Sequence, residues 1–168
     1  MKSFLTVSLF LVVSFSQSQN NQCACCSEPY SGFDFWIGSW EVKNQKGDIV
    51  GYSSISKIQD NCILLEDWKA VNQVYTGTSY NTYNQATKQW EQLYIDNAGY
   101  VLKLKGNRKG NQMILASEPS VNDKGLSVLQ RITWTANDDG TVRQLWETIT
   151  DGKEVVVAFD GLYYKKDQ

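Results

Sequence analysis

The 168-residue chain contains no histidine, and that removes the imidazole from every scheme of catalysis. No Ser-His-Asp triad, Cys-His dyad, histidine metal site or histidine-ligated haem can be built from it. Acid–base work falls to tyrosine and to the carboxylates on strand-like segments, which are Glu66, Asp67, Asp96, Glu147 and Asp160. A suitably spaced pair would suit hydrolysis of a glycosidic bond or isomerisation of a carbonyl compound, with Glu66 or Asp96 as general base and no cofactor. No run resembles a glycine-rich phosphate loop, and Asp138-Asp139-Gly140 has the composition of a turn rather than of a calcium loop.

Four cysteines, Cys23, Cys25, Cys26 and Cys62, form the other reactive group. Cys23 and Cys26 have CxxC spacing, but a structural zinc site needs a second close pair or histidines, and neither exists. Oxidation is therefore the expected fate, with three pairings open if all four bond, beside free or intermolecular thiols. Cys62 begins the strand-like run Cys62-Ile63-Leu64-Leu65-Glu66, and Cys26 is the nearest N-terminal cysteine, so a Cys26 to Cys62 bridge is the expectation. Such a bridge stabilises by about 2 to 4 kcal/mol through the unfolded state.

That expectation depends on compartment. Lys2 precedes an apolar stretch over residues 4–15, too short for a stable membrane span but suited to a signal-peptide core. Residues 1–19 read as the signal peptide, with cleavage near residues 16–21, and the mature protein is expected in the periplasm or outside the cell. A lipid anchor fits poorly, because Cys23 follows Asn20-Asn21-Gln22 rather than small residues. No later segment is long and apolar enough to span. Removing the signal leaves roughly 147 residues, one domain's worth. Lys and Arg number 16 against 18 Asp and Glu, with no basic cluster, so electrostatic capture of nucleic acid has no basis. Oligomeric state leaves no mark on the sequence.

These groups must be positioned by strands. Apolar residues alternate with period two over 39–44, 49–58, 62–70, 75–81, 89–96, 100–106, 112–117, 126–135, 142–150 and 155–164. Between them stand turn-formers such as Lys46-Gly47-Asp48, Asn97-Ala98-Gly99, Lys109-Gly110-Asn111 and Asp151-Gly152-Lys153. Pro29 and Pro119 both fall outside the strands, and a short helix is expected over 28–35. About ten strands in an antiparallel up-and-down meander favour closure, because closure removes the exposed edges. The expectation is an all-β barrel over residues 33–168, preceded by a cysteine-rich segment over 20–32.

Alternation sorts the side chains into two rows. Lys103, Lys105, Arg131, Arg143 and Glu147 share the outward row. The inward row holds Trp40, Val42, Cys62, Leu64, Glu66, Trp68, Gln92, Tyr94, Asp96, Tyr100, Leu102, Leu104, Val128, Gln130, Ile132, Trp134, Val142, Gln144, Trp146, Val155, Val157 and Phe159. Glu66, Gln92, Asp96, Gln130 and Gln144 in that row need partners if buried, or else they face a wet cavity of ligand size. The candidate binding residues are Glu66, Gln92, Gln130 and Gln144 with Trp68, Tyr94, Trp134 and Trp146.

Five segments carry a resemblance: residues 33–42 (FDFWIGSWEV), 61–66 (NCILLE), 131–135 (RITWT), 142–147 (VRQLWE) and 158–163 (AFDGLY). Together they resemble exported, calycin-like bacterial proteins grouped as a domain of unknown function, over nearly the whole mature chain. The resemblance implies a lipocalin-like barrel and a cysteine just upstream of the first strand alongside one at Cys62, in keeping with a bridge there. It implies no activity. In lipocalins a terminal arginine often covers the first-strand tryptophan; here only Lys165 and Lys166 stand in that place. The leading functional expectation is a barrel that binds a small, partly apolar ligand in its interior without a cofactor. The alternatives are a cofactor-free isomerase or hydrolase and a filled-barrel interaction module.

Overall fold

A computed structural model describes residues 23–166. The expected signal peptide over 1–19, and the first residues of the cysteine-rich segment, lie outside the described residues. The chain enters through a one-turn helix α1 (Glu28–Ser31) and a 3-10 turn (Asp34–Trp36), close to the helix expected over 28–35. Eleven strands follow: β1 (Gly38–Lys43), β2 (Ile49–Ile58), β3 (Ile63–Ala70), β4 (Thr76–Asn84), β5 (Gln89–Asp96), β6 (Val101–Lys109), β7 (Gln112–Ala116), β8 (Ser120–Val121), β9 (Ser127–Ala136), β10 (Val142–Thr150) and β11 (Glu154–Lys165).

Every pairing is antiparallel, and ten strands close a ring in which β7 bonds to β9, β9 to β10, β10 to β11 and β11 back to β1. The all-β closed barrel expected from alternation is therefore present. The two-residue β8 was not among the expected strands; it continues the edge of β9 beyond β7, across the break made by Pro119, which cannot donate to a ladder. Turn chemistry follows the Asn and Asp residues. Asn44 Oδ1 accepts from the Lys46 and Asp48 N–H groups, and Gly47 takes the left-handed φ of +86° that a side chain resists. Asp139 Oδ1 accepts from both the N–H and the hydroxyl of Thr141, so this acidic pair does turn work.

One end of the barrel is plugged. Phe33 and Trp36 enter from the N-terminal segment and stack at 5.1 Å, and Phe33 meets Trp90 and Trp134 edge to face at 5.7 and 5.1 Å. All four rings are buried, with Met113, Leu115 and Tyr163 around them. Trp40 Nε1 donates to the Trp36 carbonyl at 2.9 Å, and Lys165 Nζ lies 5.8 Å above the Trp40 ring, so a lysine covers the first-strand tryptophan. Outside the plug, Lys57 pairs with Asp34 at 2.7 Å.

Two expectations are corrected. The disulfides are Cys25–Cys62 and Cys23–Cys26, not Cys26–Cys62. Cys26 is bonded back to Cys23 across the local turn, which leaves Cys25 to reach Cys62. Cys25 is buried and Cys26 is exposed. The second correction concerns β11. Trp146 pairs with Phe159 but Glu147 pairs with Val157, leaving Ala158 as the extra residue of a bulge. The bulge turns Val155 and Val157, expected inside, to the outer row, and both are exposed; Val156, of the opposite row, is exposed as well, so this end of β11 buries neither face.

Candidate functional site

At the end opposite the plug the barrel interior is hollow. A cavity of about 340 Å³ opens there, walled by Trp68, Tyr75, Tyr94, Trp146 and Phe159, and floored by Glu66, Gln92, Ile132, Gln144 and Tyr163. Six of the eight residues expected to bind a ligand, Glu66, Trp68, Gln92, Tyr94, Gln144 and Trp146, line this one space. Gln130 stands behind its wall. Its Oε1 accepts from Trp146 Nε1 at 2.6 Å and from Thr148 Oγ1 at 3.0 Å, which orients the indole. Trp134 has the same parity but lies four residues further along β9, fully buried in the plug against Phe33 and Trp36, so it is core rather than cavity wall.

The wall has a simple physical origin. A Cβ added at Gly51 would meet the Trp68 ring at 2.6 Å, one at Gly77 the Tyr94 hydroxyl at 2.4 Å, and one at Gly161 the Phe159 ring at 2.6 Å. Each large ring thus lies flat across a glycine of its own or a neighbouring strand, the packing by which aromatics shield bare sheet backbone. Rings held against the wall leave the centre empty. Trp68 and Phe159 meet edge to face at 6.0 Å, as do Tyr94 and Trp146 at 6.4 Å, and Tyr100 stacks on Trp146 at the mouth.

The floor is a hydrogen-bonded chain crossing four strands. Ser53 on β2 donates to Glu66 Oε1 at 3.0 Å and Ser79 on β4 donates to Oε2 at 2.8 Å. Asn81 Nδ2 donates to Ser79 Oγ at 3.0 Å and to the Leu64 carbonyl at 2.9 Å, while Gln92 Nε2 on β5 donates to Asn81 Oδ1 at 2.7 Å. Across the floor Tyr163 donates its hydroxyl to Gln144 Oε1. Glu66 is 5% exposed. Its burial pushes the carboxyl up from the usual 4.5 to about 7, against the pull of the Ser79 and Ser53 hydroxyls and with a small push from neighbouring Asp67. The same burial raises the Tyr163 phenol well above its ordinary range.

At the rim, Tyr75 OH lies 2.6 Å from Tyr94 OH and donates to Asp96 Oδ2 at 3.0 Å. Burial disfavours the Asp96 carboxylate, but bonds from Tyr100 N–H, Tyr75 OH and Ala98 N–H outweigh it and hold the group below the ordinary aspartate range. The other strand carboxylates serve outside the barrel. Arg131 holds Glu147 at 2.9 Å, Arg143 holds Asp160 at 2.7 Å, and Asp67 lies 3.6 Å from Lys69. Among the described residues no group of three or more His, Cys, Asp or Glu is placed to hold a metal ion.

The sequence reading missed Ser53, Ser79, Asn81, Tyr163 and the three glycines. On β4 the inward row runs Gly77, Ser79, Asn81, without the apolar alternation that marks a buried face. The available signal was complementary size: a glycine two residues from a serine, in register with strands carrying Trp68 and Tyr94. No protein-family model matches the chain, and no curated protein gives a significant match to it.

Proposed function

We propose that this protein is an exported β-barrel that binds a small, partly apolar molecule in the cavity at its open end. Export is supported by the apolar N-terminal stretch read from the sequence and by two disulfides, which persist in oxidising compartments. Among the described residues no helix is long and apolar enough to cross a membrane. The calycin-like resemblance is compatible with a closed ten-stranded ring.

The observation that carries the binding reading is the cavity itself. Its volume of about 340 Å³ suits a small ligand, its walls are aromatic, and a few convergent polar groups stand on one side. A barrel that served only as a scaffold would gain from filling that volume, since empty space forfeits dispersion contacts. Native mass spectrometry of protein purified from its source tests this directly. Wild type should carry a retained small-molecule mass, and Gly77→Ala, which drives the Tyr94 ring into the cavity, should lose it. Wild-type protein with no retained mass, and with tryptophan fluorescence unmoved by any member of a metabolite and lipid panel, would refute the reading.

One observation favours a second reading. A carboxyl group held near pH 7 inside a cavity is suited to passing protons at neutral pH. In that case Glu66 is the general base or acid of a cofactor-free isomerase or hydrolase, and activity should follow a single ionisation near pH 7 that Glu66→Gln abolishes.

A further inference from the structure

We infer that the ligand of the open-end cavity is a small organic cation, an amine or ammonium group on an apolar body, whose charge sits beside the Glu66 carboxylate. This rests on the binding reading above and adds the chemical class.

The argument starts from charge. Glu66 is the one acidic side chain of the cavity floor, and no lysine or arginine lines the space among the described residues. A buried carboxylate is retained where it is paired or where it has work to do. Its partners inside the protein are two neutral hydroxyls, Ser53 Oγ and Ser79 Oγ, one on each oxygen. A carboxylate accepts about four hydrogen bonds, so about half of the capacity of this cavity-lining group is unused by side-chain partners among the described residues. The basic residues that adjoin cavity-lining residues in the chain are spent elsewhere: Arg131, beside Ile132, on Glu147; Arg143, beside Gln144, on Asp160; and Lys69, beside Trp68, on Asp67. The protein thus supplies the anion and leaves the cation to be brought in.

The walls point the same way. Trp68, Tyr94, Trp146 and Phe159 present π-faces and edges around one volume. Aromatic faces attract a desolvated cation and offer an anion nothing. Asp96 at the mouth, held ionised by its hydrogen bonds, adds a second negative charge on the way in. An anionic ligand would meet two carboxylates and no cation; a neutral ligand would leave Glu66 without a counter-charge.

Ionisation of Glu66 sets a pH dependence. The groups facing it are Ser53 from β2, Ser79 from β4, Tyr94 from β5 and Tyr163 from β11, with Asp67 next to it on β3. Both tyrosines stay neutral below pH 10, since their phenols are raised. Glu66 is therefore the group that switches between pH 5.5 and 8. With its carboxyl near 7, the ionised fraction falls about thirtyfold over that range.

The test is isothermal titration of the full mature protein with three probes of matched shape: 2-phenylethylamine, 2-phenylethanol and phenylacetate. The amine is expected to bind at least tenfold more tightly than the alcohol at pH 8, with phenylacetate weakest. The amine's affinity should fall with the ionised fraction of Glu66, by up to about thirtyfold, until it meets that of the alcohol near pH 5.5 in wild type, and the preference should vanish in Glu66→Gln. The wild-type pH series decides the matter even if the variant fails to fold. If the alcohol or phenylacetate binds as tightly as the amine, or the amine preference survives at pH 5.5, the cation assignment is wrong while interior binding stands. If none of the three binds, the assignment falls; if in addition no retained mass is found, interior binding falls with it.

Discussion

The two ends of this barrel are built from the same residue types in the same inward row, yet one is solid and the other hollow. At the plugged end Trp90, Trp134 and Tyr163 point to the axis and find Phe33 and Trp36 there to meet them. At the open end Trp68, Tyr94 and Phe159 lie back against Gly51, Gly77 and Gly161, and among the described residues no segment enters. A closed ten-stranded ring leaves more interior than its own side chains fill unless something is added. The N-terminal segment is the addition at one end. The glycine shelves keep the other end clear. Hollow and solid are therefore decided by where rings lean and by which segment arrives, not by the abundance of aromatics.

The indole N–H groups tell the two ends apart as well. In the plug, Trp36 Nε1 and Trp134 Nε1 are buried with no hydrogen-bond partner among the described residues, a cost the aromatic packing has to exceed. At the open end Trp146 Nε1 is bonded to Gln130, and that bond fixes the ring as a wall.

The contrast can be broken most strongly at the plug. Trp134→Ala removes a fully buried ring and should cost about 5 kcal/mol in denaturant unfolding; a loss below about 1 kcal/mol would mean that the plug does not hold the fold. Opening the Cys25–Cys62 bridge with paired serine substitutions releases a span of 37 residues and should cost about 4 kcal/mol by chain entropy. The Cys23–Cys26 bridge spans only 3, so its removal should cost far less, and thermal unfolding of the two double variants compares them.

The open end should behave in the opposite sense. Glu66 binds its proton more tightly folded than unfolded, so the unfolded chain ionises first as pH rises. Stability should then fall between about pH 4.5 and 7 and stay low above, by an amount on the order of 3 kcal/mol. Glu66→Gln should match wild type near pH 4 and be more stable than it at pH 8. Chemical denaturation at the two pH values checks this, and equal stability of the two proteins at pH 8 would show the carboxylate to be ordinary. The smallest effect is expected at the lysine lid: Lys165→Ala uncovers Trp40 and should cost about 0.5 to 1 kcal/mol, read from the denaturation midpoint.

Much of this was legible in the chain because strand alternation is a local property. The ten principal strands, the short helical entry and the inward placement of Glu66, Gln92, Gln144, Trp68, Tyr94 and Trp146 follow from period two and from Asn, Asp and Gly at the turns. Position along the barrel axis was not legible, because parity gives only the face. Trp134 and Gln130 share a row, yet one is core and the other a brace behind the wall. The bulge at Ala158 was also hidden, since an extra residue in one strand shows only when its partner is laid beside it.

Residue types and the two-residue period suffice for the class of fold, the exclusion of imidazole chemistry and the inward row that carries Glu66, because each depends on residue type or on neighbours two apart. Only the closed sheet settles that Cys25 rather than Cys26 reaches Cys62, that Ser53, Ser79 and Asn81 form the floor, and that the described residues leave a cavity at the open end. Each of those outcomes depends on distances between strands far apart in the chain, and such distances exist only once the sheet has closed.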